Sequence, residues 1–214
     1  FVLHHHVTLY DRYGSDKRLF HILEALVALG HKITLGGMHT SSLEAPSDRQ
    51  RLRRLGVDIY DPLADGAVAD VAQLRIALFG EDRHLPDLVI LPLWFWSAVP
   101  VPGMYSMLFC NKDECILTLK PEVFLGLVRE IAPEAKIAIL SDDVHYLRQK
   151  MLASFFSKPQ DARSIEQIRA QEYRHYAAAD YVLTITDNDR ANLLQGVNDG
   201  DLVGSDMSNL GNKT

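Results

Sequence analysis

The chain has 214 residues, of which 47% are hydrophobic and 23% are charged, and its formal net charge is -6. This composition is typical of a soluble globular protein and allows one large domain or two small ones. The negative charge argues against a nucleic-acid-binding protein, because such proteins need a basic surface to neutralise phosphates.

Apolar, strand-like segments alternate with helix-like segments along the chain. The predicted strands are 1–7, 32–35, 57–60, 88–91, 137–140 and 181–185. Predicted helices follow residue 16 and occupy 48–55, 67–79, 121–132, a segment from about 145, 164–179 and a segment from 187. Gly30 and Gly56 stand where C-terminal caps belong.

This alternation predicts an α/β fold, namely a Rossmann-like parallel sheet with helices on both faces. We expect it to form one domain over residues 1–194. From Gln195 the residues are mainly Gly, Asn, Asp and Ser. Residues 195–214 are therefore interpreted as a disordered tail or a truncated linker.

One stretch raises the question of a membrane span. Residues 88–109 contain no charged side chain and are long enough to cross a bilayer. Pro92, Pro100 and Pro102 interrupt this stretch, so a buried strand followed by an apolar loop is the better interpretation. We expect no transmembrane segment.

The cysteines bear on the cellular compartment. Cys110 and Cys115 are the only two, and they cannot form a structural zinc site by themselves. Free thiols in a reducing, cytoplasmic compartment are expected, and the spacing leaves a bond between the two open.

The most informative segment runs from Lys136 to Arg148. An apolar run at 137–140 leads directly into a polar stretch that contains Asp143 and His145. Ligands of open parallel sheets bind beyond the carboxyl ends of the strands, so this stretch is a candidate site. The alternative is that the acidic residues only cap the next helix and that His145 is structural.

A second candidate is the polar loop after the first strand, which contains Gly14 and Ser15. A glycine at a strand-to-helix turn lets a ligand approach the backbone, and a helix N-terminus offers N–H groups to an anion. The dinucleotide and P-loop signatures are both missing. The alternative is that Gly14 forms the turn and Ser15 caps the helix.

Three further features have less specific interpretations. Trp94, at the end of the fourth strand, either lines an acceptor pocket, contacts a partner domain or packs in the core. The Asp-x-Asp triplets at 187–189 and 199–201 could offer carboxylates to Mg²⁺, but helix capping and a low-order tail explain them, so no metal is expected. The polar residues of the helix at 164–179, Glu172 among them, are interpreted as mostly solvated surface.

The order of several motifs carries a resemblance that no single motif does. The motifs are Tyr10-Asp11 with Gly14-Ser15, Leu-Gly-His-Lys-Ile-Thr-Leu at 29–35, Pro-Asp-Leu-Val-Ile at 86–90, Ser-Asp-Asp-Val-His-Tyr-Leu-Arg at 141–148, and the run from Glu172 to Asp187. In this order they resemble the N-terminal half of a GT-B glycosyltransferase and are most similar to the retaining family 4 type. The resemblance covers about residues 1–194.

The resemblance implies two Rossmann-like domains that face a cleft, with this chain on the acceptor side. It places Gly14 and Ser15 in the loop that approaches the donor phosphates, and His145 beside the transferred sugar. It implies orienting roles for Asp143 and Arg148.

The implied co-substrates are a nucleotide sugar and an unknown acceptor, with retention of configuration and without a cofactor or bound metal. The donor-binding C-terminal domain is the implied partner, and its absence predicts that this chain alone is inactive. Two alternatives stay open: a non-catalytic Rossmann-like module that binds a ligand or protein, and a nucleotide-dependent oxidoreductase.

Overall fold

Strands and helices alternate along most of the described chain. The computed structural model describes residues 1–4, 7–8, 10, 14–37, 46–60, 85–91, 110–111, 114–115, 121–155 and 162–198. The strands are β1 (Val2–His4), β2 (Ile33–Gly37), β3 (Val57–Tyr60), β4 (Leu88–Leu91), β5 (Cys110–Asn111), β6 (Glu114–Cys115), β7 (Lys136–Leu140) and β8 (Tyr181–Leu183). The helices are α1 (Gly14–Ala28), α2 (Pro46–Leu55), α3 (Pro121–Ile131), α4 (His145–Phe155), α5 (Ala162–Ala178) and α6 (Asp187–Asn198).

The chain divides into two compact units, which are Phe1–Leu91 with Leu127–Ala135, and Pro92–Gly126 with Lys136–Thr214. In the first unit the strand order is β3-β2-β1-β4, and each neighbouring pair is parallel. In the second unit β7 and β8 are parallel, whereas β5 and β6 are antiparallel. Parallel strands connected through helices confirm the α/β class. The single domain expected over residues 1–194 stays a prediction.

The first unit is built on apolar strands and on the apolar stripe of α1. Leu19 and Leu23 of that stripe are buried, as is Leu35 on β2. Gly30 and Gly56 have φ angles of 87° and 98°, which L side chains rarely adopt. The predicted C-terminal caps of α1 and α2 are therefore confirmed.

In the second unit, one aspartate connects β7 to the turn before β8. Asp180 accepts a hydrogen bond from the backbone N–H of Ile137 at 2.8 Å, and its own N–H donates to the Ile137 carbonyl oxygen at 2.8 Å. Behind the strands lies an apolar cluster of Ile139, Val144, Tyr173, Tyr176 and Leu193. The strand pair is thus fixed at its start, and Ile139 of β7 packs against side chains of α5 and α6.

Helix α6 begins at a reciprocal cap and extends further than the sequence predicted. Thr186 Oγ1 accepts the N–H of Asp189 at 3.1 Å and donates to its carboxylate at 2.7 Å. The helix ends at Asn198, beyond the boundary predicted at residue 194. Gly196 lies in this extra turn and is buried against Tyr173, so packing overrides the poor helix propensity of glycine.

We expect Gly196→Ala to destabilise the chain by about 2 kcal/mol, as overpacking of a buried site does. A Cβ at this position would overlap the ring and hydroxyl of Tyr173. That ring cannot move freely, because Tyr173 is 0% exposed and its hydroxyl donates to the Asn192 carbonyl oxygen at 3.2 Å.

Gly126→Ala in α3 is the matched control, since a Cβ there meets no atom within 4 Å. The control should raise stability by up to about 1 kcal/mol through helix propensity alone. Urea unfolding of the two variants measures the difference, and equal effects of both substitutions would contradict the packing described for α6.

The uncharged stretch at 88–109 begins with the predicted strand, β4. Its remainder, including Trp94, lies outside the described residues. No helix in the described part of the chain is long and apolar enough to cross a membrane. The backbone pairs Cys110 with Cys115 across the β5–β6 ladder, which leaves open the bond that their spacing allowed.

Candidate functional site

The candidate site begins where β7 ends. Residues 137–140 of this strand are buried, and the chain then passes directly through Ser141 and Asp143 into helix α4 at His145. The predicted strand-to-helix arrangement at this point is confirmed. Ligands of open α/β sheets bind beyond the carboxyl ends of the strands. The buried strand β7 holds the polar residues that follow it at such an edge.

Three of the predicted site residues lie together at this edge. Arg148 Nη1 is 2.6 Å from Asp143 Oδ2, and Arg148 Nη2 is 2.7 Å from His145 Nδ1. The Asp143 carboxylate also lies 3.4 Å from His145 Nδ1. We call these three residues the β7 edge cluster. The side chain of His145 is only 7% exposed, whereas those of Asp143 and Arg148 are 32% and 49% exposed.

Arg148 approaches both ring nitrogens of His145. Its Nη2 atom lies 2.7 Å from Nδ1 and 3.1 Å from Nε2, and the Asp143 carboxylate lies 3.4 Å from Nδ1. A guanidinium group only donates, whereas a carboxylate oxygen accepts, so the ring has both a donor and an acceptor facing it. An imidazole and a positive charge therefore lie side by side at this edge.

A buried glutamate fixes the start of α4. Glu172 on α5 is 0% exposed, and its carboxyl oxygens accept the backbone N–H groups of His145 at 2.9 Å and Tyr146 at 3.1 Å. The Tyr176 hydroxyl lies 2.9 Å from Glu172 Oε1. Glu172 thus satisfies N–H groups that an α-helix leaves without an internal partner at its N-terminus.

Burial raises the pKa of the Glu172 carboxyl to about 7. The hydrogen bonds from the two backbone N–H groups and from Tyr176 oppose this rise, and the negative charge of Asp143 adds to it. Burial also raises the pKa of Tyr176 well above its usual value, so its hydroxyl keeps its proton. The Glu172 carboxyl group, which accepts the backbone N–H of His145, therefore changes its charge near neutral pH.

The sequence interpretation of α5 as mostly solvated surface is wrong for this face of the helix. Glu166 and Arg174 are exposed, but Glu172, Tyr173 and Tyr176 are buried. Glu172 lies four residues after the buried Ile168 and four before Tyr176, so helical spacing places it on the buried stripe. That spacing was the available signal for a buried acid.

The occupied N-terminus of α4 limits which ligand can bind here. A helix N-terminus ordinarily binds phosphate through its free N–H groups and its dipole. The carboxyl group of Glu172 already accepts the N–H groups of His145 and Tyr146. A ligand at the β7 edge cluster is therefore held mainly by side chains, through the His145 imidazole and the Arg148 guanidinium.

Gly14 and Ser15, the other predicted pair, are the first two residues of α1 and belong to the first compact unit. Gly14 is exposed, lacks a positive φ, and an added Cβ meets no atom within 4 Å. Ser15 lies inside the helix. The backbone at position 14 therefore does not require glycine, and Ser15 is not the residue that precedes the helix. The buried residue of this turn is Asp16, which accepts the Thr8 hydroxyl.

Of the two Asp-x-Asp triplets, only the one at 187–189 lies in the described part of the chain. Asp189 is engaged in the cap with Thr186, whereas residues 199–201 lie outside the described part of the chain. Among the described residues, no group of three His, Cys, Asp or Glu side chains is placed to hold a metal ion.

These features define an α/β protein with a polar cluster at the carboxyl end of a buried parallel strand. No protein-family model, curated protein or solved structure matches the chain.

Proposed function

We propose that this chain is the acceptor-side half of a retaining glycosyltransferase with a GT-B, Rossmann-like fold, which uses a nucleotide sugar as co-substrate. The observation that carries the proposal is the β7 edge cluster, in which His145 lies between Asp143 and Arg148 at the end of a buried strand. The ordered motifs that resemble retaining family 4 enzymes support the same assignment.

The chemistry of the cluster suits a sugar. During transfer, the bond from the anomeric carbon to the leaving diphosphate breaks, an acceptor oxygen forms a bond on the same face, and the acceptor proton passes to a phosphate oxygen. The protein must supply hydrogen-bond donors and positive charge that are already in place. His145 offers a ring nitrogen to a sugar hydroxyl, and Arg148 supplies a positive charge beside it.

The N-terminus of α4, which Glu172 already occupies, also favours a sugar over a phosphate at this edge. Because Glu172 accepts the first N–H groups of the helix, the site has no free helix N-terminus for a diphosphate. A nearly buried imidazole instead matches a sugar hydroxyl. The resemblance, and not this cluster, assigns the donor phosphates to Gly14 and Ser15 at the start of α1 and to a donor-binding partner domain.

The direct test is transfer itself. The protein made from its complete reading frame should transfer sugar from one nucleotide sugar of a panel to an acceptor, and NMR of the product should show retained anomeric configuration. The 214-residue chain alone should give no appreciable turnover. Ligand binding by the complete protein without transfer would contradict the proposal and indicate a non-catalytic module.

Gly14→Ala tests the role proposed for the α1 turn. Because a Cβ at this position meets no atom within 4 Å, the free energy of unfolding should change by less than about 0.5 kcal/mol. The apparent KM of the complete protein for the nucleotide sugar should rise, since the added methyl group blocks close approach of a phosphate to the backbone. An unchanged KM would contradict the role of Gly14 in donor binding.

A further inference from the structure

A continuous row of oxygen atoms extends from Glu172 to the backbone of the site. Glu172 Oε1 is 2.9 Å from the Tyr176 hydroxyl, which is 2.9 Å from the Ser141 hydroxyl. Ser141 Oγ is in turn 2.8 Å from the carbonyl oxygen of Asp143. All three separations are hydrogen-bond distances, so each contact needs one proton between its two oxygens.

Counting protons shows that the row is complete only when Glu172 is protonated. A hydroxyl group carries one proton and a carbonyl oxygen carries none. Ser141 must donate to the Asp143 carbonyl oxygen, so the proton between Ser141 and Tyr176 comes from Tyr176. The remaining contact can then be filled only by a proton on Glu172 Oε1.

When Glu172 is ionised, two hydroxyl protons serve three contacts. Tyr176 then turns its proton to the carboxylate, because hydrogen bonds to ionised groups are the stronger ones. The Ser141 proton is left to serve either Tyr176 or the Asp143 carbonyl oxygen. Loss of the Glu172 proton therefore reverses the hydrogen bond between Glu172 and Tyr176, and one of the three contacts is left without a hydrogen bond.

We propose that Glu172 is a positioning residue. Its proton sets the direction of the hydrogen bonds in this hydroxyl row, and the row thereby couples the charge of Glu172 to the turn that carries Asp143 and His145. The coupling is carried by the backbone, because Glu172 accepts the His145 N–H at one end and the row binds the Asp143 carbonyl oxygen at the other. The coupling does not depend on the proposed function.

The groups that face the Glu172 carboxyl are consistent with a proton that is exchanged near neutral pH. On its own helix it faces Tyr176, and from the β7–α4 segment it faces Asp143 and the N–H groups of His145 and Tyr146. Two cations lie further out: Arg148 pairs with Asp143, and Arg169 lies over the Tyr146 ring at 5.5 Å. From α6 the surrounding cluster receives the apolar Leu193. Burial is the largest influence and raises the pKa of Glu172 to about 7.

Ser141→Ala separates this proposal from burial alone. Without the serine hydroxyl, Tyr176 donates to ionised Glu172 and no contact is left unfilled, so the ionised form is no longer penalised. The ionisation constant of Glu172 should therefore rise roughly fivefold, which is the worth of one ordinary hydrogen bond. The measurement is the pH titration of the Glu172 carboxyl carbon by ¹³C NMR, assigned by its loss in Glu172→Gln.

Two internal checks accompany the titration. In the wild-type chain, the amide protons of His145 and Tyr146 should follow the same midpoint, because both groups donate to the carboxyl. Ser154→Ala is the control. It removes a serine hydroxyl that donates to the Met151 carbonyl oxygen at the exposed end of α4, outside the row. It should leave the midpoint unchanged.

A midpoint in Ser141→Ala that is unchanged or moves to higher pH would overturn the proposal, as would an equal shift in Ser154→Ala. If Ser141→Ala does not fold, Ser141→Cys decides, because a thiol is a weak donor and acceptor and should shift the midpoint in the same direction. No substrate is used, so failure here is distinct from failure of the proposed transferase activity.

Discussion

Relative to Glu172→Gln, the wild-type chain should lose about 3 kcal/mol of unfolding free energy between pH 4.5 and pH 7. Burial raises the pKa of Glu172 from 4.5 to about 7, so the folded chain binds more protons than the unfolded chain in this range. The stabilisation by the protonated acid is fully present below pH 4.5 and is lost as the pH rises through about 7.

The comparison isolates this single group, because glutamine does not titrate. Glutamine must also turn its NH₂ group toward the N–H of His145 or of Tyr146, so the variant should be less stable than wild type at acid pH by about 1–3 kcal/mol. Glu166→Gln on the same helix is the matched control. The Glu166 side chain is 65% exposed and pairs only with Arg169 among the contacts described, so the difference from wild type should stay nearly constant with pH.

Urea unfolding at several pH values measures these differences. A wild-type advantage over Glu172→Gln that stays constant or grows between pH 4.5 and pH 7 would contradict a raised pKa. That result would mean that the three donors to the carboxylate outweigh its burial.

The parallel strands could be located because their pattern is local, although β8 is shorter than the predicted 181–185 and the two-residue strands β5 and β6 were not predicted. Buried parallel strands are short apolar runs, and the run Leu88–Leu91 corresponds to β4 at both ends. The capping glycines were equally local, since Gly30 and Gly56 follow the last turns of α1 and α2. The β7 edge cluster could be predicted for a similar reason, because its three members follow one strand within eight residues.

The partners of this cluster could not be predicted in the same way. Helical spacing could place Glu172 on the buried stripe of α5, but the N–H group of His145 that it accepts lies 27 residues away, so the local sequence does not indicate this partner. The last turn of α6 is a similar case. Gly196 and its polar neighbours predict a loop by propensity, and only the contact with Tyr173 on another helix favours the helical turn.

His145→Ala should lower the kcat of the complete protein about 10²–10³-fold, the range observed when one preorganised donor is removed from a transition state. In the proposed function the His145 ring contacts the transferred sugar, while Arg148 and Asp143 hold the ring. The loss should fall mainly on kcat, because the nucleotide contacts that determine KM belong to other residues.

A structural role for His145 predicts a different pattern. The side chain is 7% exposed, so its removal also costs some packing energy. The backbone N–H of residue 145 is kept in the alanine variant, however, and can still donate to Glu172. We therefore expect the free energy of unfolding to fall by no more than about 1–2 kcal/mol, within the ordinary range for a single substitution.

The decisive measurement is the turnover of His145→Ala per folded molecule, made on the protein from its complete reading frame together with a urea unfolding curve. We expect a large loss of kcat in a variant that remains folded. Turnover per folded molecule equal to that of wild type, with the loss confined to stability, would show that His145 is structural and that the β7 edge cluster is not the site of transfer.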